Sequence, residues 1–546
     1  MSTQERQPMT DERPEHIGSF DYIIVGAGSA GCVLANRLSA DPMKRVLLLE
    51  AGGRDSYFWI HVPVGYLYTM NNKRTDWCFK TAPSEGLNGR SLAYPRGRVL
   101  GGCSSINGMI YMRGQANDYD QWRKLGNVGW GWDDVLPLFC KSEDHYKGGD
   151  DLHGSGGEWH VDKQRLSWPI LDAFRDAAIE AGIPPTDDFN RGDNEGVGYF
   201  EVNQKGGWRW STANAFLHPV ADRRNLTVLT HAQTDRLILD GRRAKGVAFR
   251  QNGQAKTASV LGELILAAGA IGSPHLLQLS GIGPGALLQD KGIDVAHDLP
   301  GVGENLQDHL QIRTVYKVEN TVTLNQKANS LIGKAGMALE YALRRTGPLS
   351  MAPSQLGAFA KSDPSVATAN LEYHVQPLST DKLGDPLHKF PAITASVCNL
   401  RPASRGYVRM TSPTPTDAPE IQPNYLAEPA DRQVAADAIK LTRRILAASP
   451  MQPFRPSEML PGPDIQSDEQ LAKAAGDIAS TIFHPVGTCK MGHDERAVVD
   501  DRLRVHGIER LRVADASIMP TITSGNTNSP TIMIAEKAAE MIVADA

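Results

Sequence analysis

Near its amino terminus the chain alternates short apolar runs with a segment of helical pattern. Residues 22–25 and 46–49 are continuous apolar runs. Runs of this kind predict strands that are buried on both faces of a parallel sheet. Residues 30–38, which lie between them, predict a helix. A strand, a helix and a second strand in one short unit predict an α/β fold.

Farther along, strand-like runs outnumber helical ones. Between residues 225 and 268 they occur at 225–230, 236–240, 246–250, 258–261 and 264–268. After residue 315 a helical pattern at 332–345 is followed by strand-like runs at 370–375, 394–398 and 405–410. The β-branched and aromatic content of these later runs predicts a second group of strands.

A glycine motif follows the first apolar run directly. Gly26, Gly28 and Gly31 form GxGxxG. Its glycines allow a tight turn and a close approach to a pyrophosphate, and the helix that follows attracts the phosphate charge. Glu50 ends the second run, 19 residues after Gly31, where an acid can bind ribose hydroxyls. The unit predicts a dinucleotide site, without separating NAD from FAD, and this site also includes Ser29, Ala30 and Ala51.

Composition and charge narrow the class of protein. Of the 546 residues, 41% are hydrophobic and 22% charged, and 57 basic against 62 acidic side chains give a net charge of −5. This balance is ordinary for a globular protein and disfavours a nucleic-acid partner. No apolar stretch reaches the roughly 18 residues that span a bilayer, and the polar first residues show no secretory signal. We therefore expect a cytoplasmic protein.

Cysteine and histidine spacing gives no support for a disulfide or a metal. The six cysteines are scattered and none forms a CxxC pair, so we expect reduced thiols. His484, Cys489 and His493 are spaced like zinc ligands, but zinc requires at least one further ligand in a compact set. We expect no metal.

Three further segments are rich in glycine and other small residues. They are residues 97–114, residues 269–283 and the C-terminal stretch that includes 484–492 and 525–534. With the GxGxxG unit they resemble the glucose–methanol–choline (GMC) family of flavin alcohol oxidoreductases, and the resemblance runs from Phe20 to Ala546. Residues 87–91 and 306–309 are typical of its bacterial branch of choline, aliphatic alcohol and polyethylene glycol dehydrogenases.

The resemblance implies a fold of two parts. An FAD-binding, Rossmann-like domain would comprise residues 20–160, 215–314 and 478–546. A substrate-binding domain built on an antiparallel sheet would comprise residues 161–214 and 315–477. Residues 1–19 would form a flexible tail. The resemblance to a bacterial branch does not decide between a free cytoplasmic protein and one that contacts the inner membrane peripherally.

The resemblance also implies FAD as the cofactor. Some relatives carry a histidine bonded covalently to the flavin where this chain has Ile106, so we expect FAD to be held non-covalently. Beyond the GxGxxG unit, the residues expected along the cofactor are Arg98, Gly101, Gly102, Ser105, Asn107, Gly108, Thr234, Asp515, Ala516 and Asn526.

Two residues near the C terminus are the expected catalytic pair. His484 matches the family's histidine that takes the hydroxyl proton, and Asn528 matches the neighbouring position that binds the substrate oxygen. Asn526 is the alternative if the register is two residues off. A histidine with the ordinary pKa of about 6.5 is largely neutral at neutral pH and can accept a proton, whereas an asparagine cannot ionise. Hydride would then pass to flavin N5.

Substrate identity depends on one aligned position. Choline-oxidising relatives use a glutamate to hold the trimethylammonium group, and this chain has Gln355 there. A neutral amide gives a desolvated cation no counter-charge, which favours a neutral aliphatic, polyether or aryl alcohol. We expect a dehydrogenase that passes electrons to a quinone or a cytochrome. An oxidase that uses O₂, a choline dehydrogenase and a hydroxynitrile lyase of the same fold stay open.

Overall fold

The computed structural model describes residues 14–381 and 385–546, so the first 13 residues of the predicted tail lie outside the described residues. Its α-helices are α1 (Ser29–Leu38), α2 (Phe58–His61), α3 (Tyr66–Thr69), α4 (Ala116–Lys124), α5 (Trp132–Ser142), α6 (Pro169–Glu180), α7 (Gly269–Leu279), α8 (Gly285–Asp290), α9 (Leu324–Asn329), α10 (Leu331–Arg344), α11 (Pro429–Ala447), α12 (Asp468–Ile478) and α13 (Asn528–Asp545).

The strands form two large sheets and several two-stranded ribbons. In chain order they are β1 (Glu15–Val25), β2 (Val46–Leu49), β3 (Phe79–Lys80), β4 (Ala93–Tyr94), β5 (Glu143–His145), β6 (Trp159–Val161), β7 (Gly196–Tyr199), β8 (Gln204–Lys205), β9 (Trp208–Arg209), β10 (Leu226–Leu229), β11 (Ala232–Asp240), β12 (Arg243–Gln251), β13 (Gln254–Leu266), β14 (Ile282–Gly283), β15 (His297–Asp298), β16 (Leu310–Lys317), β17 (Leu356–Ala360), β18 (Leu371–Gln376), β19 (Ala392–Asn399), β20 (Tyr407–Arg409), β21 (Glu420–Gln422), β22 (Ser457–Leu460), β23 (Ala479–Thr481) and β24 (Leu511–Val513).

The first large sheet contains the predicted βαβ unit. Its order is β10–β2–β1–β13–β12–β11, and β24 also pairs with β13. The strands β10, β2, β1, β13 and β24 are parallel, whereas β12 and β11 extend the sheet in antiparallel fashion. All four residues of β2 are buried, as expected for a strand covered on both faces. The predicted α/β class is confirmed.

Two local predictions in this sheet are wrong. Residues 15–19, for which the sequence predicts a flexible tail, belong to β1, and Glu15 pairs with Lys256 of β13. Their exposed or half-buried side chains carry no apolar signal, because this part of the strand is held by backbone pairing. Residues 258–261 and 264–268 are not separate strands, since β13 runs through Gly262. A Cβ there would lie 2.6 Å from the Asp21 carbonyl oxygen, so glycine lets the two strands approach.

The second large sheet is antiparallel and has the order β22–β16–β19–β18–β17–β7, with β23 also paired to β16. The predicted strand at 405–410 is formed as β20, but it pairs with β21 in a separate ribbon. The strand β23 and the first half of β16 join this sheet, so the predicted domain boundaries at residues 314 and 478 pass through it. The division into two domains stays a prediction.

A charged network joins the first and last helices. The Arg37 guanidinium on α1 contacts the fully buried Glu536 carboxylate on α13 at 2.6 Å and the Glu158 carboxylate at 2.5 Å. The Ser142 hydroxyl donates to Glu536 as well, at 2.8 Å. Buried charges must be paired and hydrogen-bonded to be tolerated, and each group here has its partners.

Within the described parts of the chain, no helix is both long enough and apolar enough to cross a bilayer.

Candidate active site

A cavity of about 560 Å³ extends from the first large sheet to the second. At one end it is lined by residues that follow the carboxyl ends of the parallel strands, among them Gly26 and Glu50. At the other end it is lined by side chains of the antiparallel sheet, including Gln311 and His374. Ligands of open α/β sheets bind at the carboxyl ends of parallel strands, so the cavity has the expected place in the fold.

The glycine motif brings two loops into contact at the first end of the cavity. A Cβ at Gly102, whose φ is +52°, would lie 2.6 Å from the Cα atom of Gly28. Only glycine allows this approach together with the left-handed backbone. The two glycines form a cradle that lines the cavity, against which an elongated ligand can lie without meeting a side chain.

Glu50 is buried at the end of β2. Its carboxylate accepts hydrogen bonds from the backbone N–H groups of Ala27 at 3.0 Å and Gly52 at 2.7 Å. Burial raises the pKa of Glu50 to about 7, and the two backbone hydrogen bonds and the charge of Arg98 act against that rise. Each oxygen retains a lone pair for a ribose hydroxyl.

Most of the predicted site residues line the cavity. Those that do are Gly26, Gly28, Ser29, Ala30, Glu50, Ala51, Arg98, Gly102, Asn107, Gly108, Thr234, His484, Asp515, Ala516, Asn526 and Asn528. Among the predicted contacts, Gly31, Gly101, Ser105 and Gln355 do not line it. Gly31 packs inside its own turn, and the Ser105 hydroxyl donates to the Leu100 carbonyl at 2.7 Å, so both shape the loops that hold the lining residues.

The polar groups of the first end fit a dinucleotide. Among the described residues, the buried Thr234 Oγ1 and Asn528 Nδ2 have no hydrogen-bond partner, although both residues line the cavity. A buried polar group without a partner is costly, so a ligand rich in hydroxyls and phosphate oxygens matches these positions. Ile106 also lines the cavity and offers no atom for a covalent bond to a flavin.

His484 lies at the second end of the cavity, three residues after β23. Its backbone N–H donates to Asp308 Oδ1 at 2.7 Å, and its side chain is buried. The preceding Phe483 has a φ of +71°, an uncommon value for a residue with a side chain, which turns the chain so that the imidazole enters the cavity. The position of His484 is therefore set by its backbone as well as by its side chain.

Hydrogen bonds fix the tautomers of two buried histidines. His309 Nε2 lies 3.2 Å from the Leu400 carbonyl oxygen, which can only accept, so Nε2 carries the proton of the neutral ring. His309 Nδ1 is then an acceptor, and His484 Nδ1 donates to it at 3.0 Å. The remaining nitrogen of His484, Nε2, is unprotonated, and its lone pair accepts a hydrogen bond from Asn526 Nδ2 at 3.0 Å.

The electrostatics of this end keep His484 neutral. Burial lowers its pKa well below the usual 6.5, and the nearby His309, His374 and Arg96 lower it further. Burial also lowers the pKa of His309. The His484 Nε2 lone pair can therefore accept a proton at any pH near neutrality.

The predicted pairing of His484 with Asn528 is wrong, and the alternative register is the one observed. Asn528 begins α13, and its Oδ1 accepts from the Ser29 hydroxyl at 2.6 Å, which places it at the cofactor end. Asn526 lies in the loop before the helix and is the residue beside His484. The two asparagines are two residues apart at a helix start, where the chain turns, so spacing alone does not separate them.

Gln355 also lies elsewhere than predicted. Its side chain is fully buried, and its Nε2 donates to the Ala352 carbonyl at 2.8 Å behind the cavity wall. The adjacent Ser354 lines the cavity and accepts from Gln376 Nε2 at 3.2 Å. Successive residues of an extended chain point to opposite sides, so a shift of one residue removes Gln355 from the site.

Several residues that the sequence does not single out for a role belong to the site. Asp308 and His309 hold His484, while Gln311 and Arg313 line the cavity from β16. Their signal in the sequence is an alternation, because His309, Gln311 and Arg313 are polar at every second position of a buried strand. A buried strand with one polar face indicates a wall of a ligand site.

Residues 20–311 and 402–535 match the two parts of the GMC oxidoreductase family. The chain belongs to the GMC oxidoreductases. FAD is therefore its cofactor, and the fold class predicted from the sequence is confirmed.

Individual relatives agree with this assignment. The oxidoreductase is 46% identical to an alcohol dehydrogenase [acceptor] of Pseudomonas putida over 529 aligned residues, and these residues make up 96% of each chain. It is 43% identical to an oxygen-dependent choline dehydrogenase of Photobacterium profundum, over 96% of this chain and 93% of that one. Its structure matches an FAD-dependent oxidoreductase from Chaetomium thermophilum with a TM-score of 0.88 and 28% identity, over 96% and 99% of the two chains.

The lowered pKa of His484 predicts the pH dependence of flavin reduction. Only the neutral imidazole can accept a proton, so the rate should fall when the pH drops through the pKa of His484, which lies well below 6.5. Between about pH 6.5 and 8.5 the rate constant for anaerobic flavin reduction should be flat, because the base is already neutral. A rate that rises steadily with pH across this interval would contradict a neutral His484.

The two asparagines should have separable effects. In the oxidoreductase, Asn526→Ala removes the donor beside His484 and should slow flavin reduction about a hundredfold, the usual effect of losing one positioned donor. Asn528→Ala is the matched control two residues away, and it should weaken FAD binding by about 1 kcal/mol while largely preserving the reduction rate. Stopped-flow reduction and FAD titration of both variants measure these effects, and the reverse pattern would restore Asn528 as the partner of His484.

Proposed function

We propose that this GMC oxidoreductase oxidises a primary alcohol to the aldehyde. The observation that supports this proposal most directly is the unprotonated Nε2 of His484, which is buried beside the Asn526 amide in the cavity that fits FAD. A positioned neutral base next to a hydrogen-bond donor is the arrangement that deprotonates an alcohol while holding its oxygen.

Each residue of the second end has a distinct task in this proposal. The alcohol hydroxyl would replace Asn526 as the hydrogen-bond partner of His484 Nε2, which accepts the hydroxyl proton, and the released Asn526 Nδ2 would donate to the alcohol oxygen. His309 accepts from His484 Nδ1 and so stabilises the imidazolium that forms when the proton arrives. Bound FAD supplies the hydride acceptor.

The polar cradle of the first end would hold FAD. The Glu50 carboxylate is placed for ribose hydroxyls, and Asn528 together with Ser29 is placed for the phosphates and the ribityl chain. Thr234 would bind near the adenine, with Arg98, Asn107, Asp515 and Ala516 along the remaining length. The side chain of Ile106 supports non-covalent attachment.

Charges in the cavity wall support an alcohol without a positive charge. Among the described residues, the acids that line the cavity are Glu50, Asp417 and Asp515. All three belong to the proposed FAD end, where Asp417 lies near His275. Arg96 acts on His484, and Arg313 lines the second end. A quaternary ammonium substrate would meet two cations there, so choline is the weaker alternative despite the choline dehydrogenase relative.

The electron acceptor is proposed from the relative with the higher identity. The Pseudomonas putida protein is an alcohol dehydrogenase [acceptor], which supports a dehydrogenase that passes electrons to a quinone or a cytochrome rather than to O₂. A cytoplasmic location with peripheral membrane contact is compatible with such an acceptor and stays a prediction.

The decisive experiment is an anaerobic stopped-flow panel of 1-octanol, benzyl alcohol, a short polyethylene glycol and choline. At least one uncharged alcohol should bleach the flavin faster than choline does, and the reduced enzyme should be reoxidised faster by a quinone than by O₂. A hydroxynitrile lyase would release aldehyde from a cyanohydrin without bleaching. If no alcohol bleaches the flavin, the proposed function is wrong.

The role of His484 is tested by His484→Gln. We expect normal FAD content and a loss of about two to four orders of magnitude in the rate of flavin reduction, the usual contribution of a positioned general base. His493→Gln, nine residues away and exposed, is the matched control and should leave the rate unchanged. A near-normal rate in His484→Gln would remove this residue from the mechanism.

Non-covalent attachment has a direct measurement. Acid precipitation of the holoenzyme should release all of the yellow cofactor into the supernatant, where mass spectrometry should identify unmodified FAD. Flavin that remains with the pellet would indicate a covalent bond to a residue other than Ile106, and peptide mapping of the pellet would locate it.

A further inference from the structure

An aligned row of three buried polar side chains crosses the antiparallel sheet, and two of the three line the cavity. Arg313 of β16 is opposite Ser396 of β19, and Ser396 is opposite His374 of β18. Residues directly opposite one another in a sheet share a face, so the three side chains form one row across three strands. All three residues are buried, and Arg313 and His374 line the cavity.

This row contains hydrogen-bonding groups without protein partners. Among the described residues, Arg313 Nη1 and Ser396 Oγ make no hydrogen bond. Arg313 is 6% exposed, and burial alone lowers the pKa of its guanidinium, with no contribution from a carboxylate. Glu372 lies in the next row with Gln311, and its nearest basic contact is His374 Nε2 at 3.2 Å. Burying a cation without an anion costs several kcal/mol, so an unpaired guanidinium in a ligand cavity indicates an anionic ligand group.

The other cationic groups of the second end are different. Arg96 is only half-buried, and its guanidinium donates to the carbonyl oxygens of Pro95 and Phe483, both at 2.6 Å. Arg209 is fully buried but does not line the cavity, and it donates to the carbonyl oxygens of Ile60 and Ser104. Arg313 is therefore the cation of this wall that faces the cavity with hydrogen-bonding capacity left over.

Arg313 and the base lie some distance apart along the same wall. His309 contacts His484 and precedes Arg313 by four residues. Because a strand rises about 3.3 Å per residue, the Cα atoms of His309 and Arg313 are roughly 13 Å apart. A ligand that reaches both would carry its hydroxyl at one end and its anionic group several bonds away.

We propose that the substrate is an ω-hydroxy carboxylic acid, whose hydroxyl lies at His484 and whose carboxylate binds Arg313. This inference rests on the proposed function and specifies its substrate class. The planar guanidinium can donate two parallel hydrogen bonds to a carboxylate. The intervening methylene groups would lie along the cavity between the two ends.

The test compares matched alcohols that differ only in their far end. The kcat/KM for anaerobic flavin reduction is measured with 6-hydroxyhexanoate, 8-hydroxyoctanoate and 10-hydroxydecanoate and with the 1-alkanols of the same chain lengths. For at least one length the wild-type enzyme should prefer the hydroxy acid about ten- to hundredfold, the range expected for a charge-assisted hydrogen bond. Arg313→Met should abolish that preference, measured as the ratio of kcat/KM for the hydroxy acid to kcat/KM for the alkanol in the same variant.

Two further variants separate the loss of charge from a general effect on the fold. Arg313→Lys retains the cation and should keep part of the preference for the hydroxy acid. Arg409→Met is the matched control and should keep the whole preference, because the Arg409 side chain is 41% exposed, pairs with Glu304 and does not line the cavity. If the wild type shows no preference for the hydroxy acid at any length, or if Arg313→Met retains the preference, the inference is wrong.

A measurement on the wild type alone covers the case in which Arg313→Met does not fold. Octanoate should inhibit the oxidation of 1-octanol competitively, with a Ki at least about tenfold lower than that of octanamide. Equal Ki values would overturn the role of Arg313. Failure of the proposed function looks different, because no alcohol of either series would then reduce the flavin.

Discussion

One buried carboxylate, that of Asp308, fixes the geometry on which the site depends. Its Oδ1 accepts from the backbone N–H of His484, and its Oδ2 accepts from the hydroxyl groups of Tyr94, Thr481 and Tyr425. Hydrogen bonds to a charged group contribute about 1.5–3 kcal/mol each. Because these donors come from segments far apart in the chain, the loop that carries the base is tied at a single point to the second large sheet through Thr481, to the β3–β4 ribbon through Tyr94 and to the loop after β21 through Tyr425.

Desolvation explains the two chemically different ends of the substrate wall. At His484 it disfavours the charged imidazole and so leaves a neutral base. At Arg313 the same exclusion of water lowers the pKa only to about 10, so the guanidinium stays charged at neutral pH. The same cavity therefore holds a neutral proton acceptor at one place and a permanent cation at another.

The sequence predicts those parts of the fold that depend on local physics. The GxGxxG unit, Glu50 and the strands around them are determined by apolar runs and by glycine, and the structure has them as expected. The predictions fail where the direction of a side chain depends on packing against parts of the chain that are distant in sequence. Asn526 replaces Asn528 because the helix start is set by packing against α1, and Gln355 is one residue out of phase with a wall whose register is set by β18. His309 gave a signal only as part of an alternation.

The hydrogen bond between Ser29 and Asn528 joins residues that are 499 positions apart. On a ribosome the βαβ unit leaves the exit tunnel long before the second residue of this pair exists. At about 5–20 residues per second, the interval between them is roughly 25–100 s. During that time the phosphate cradle is open on the side that α13 later covers. In the proposed FAD site, full affinity for the cofactor would therefore require that Asn528 has been synthesised and that α13 has folded against α1.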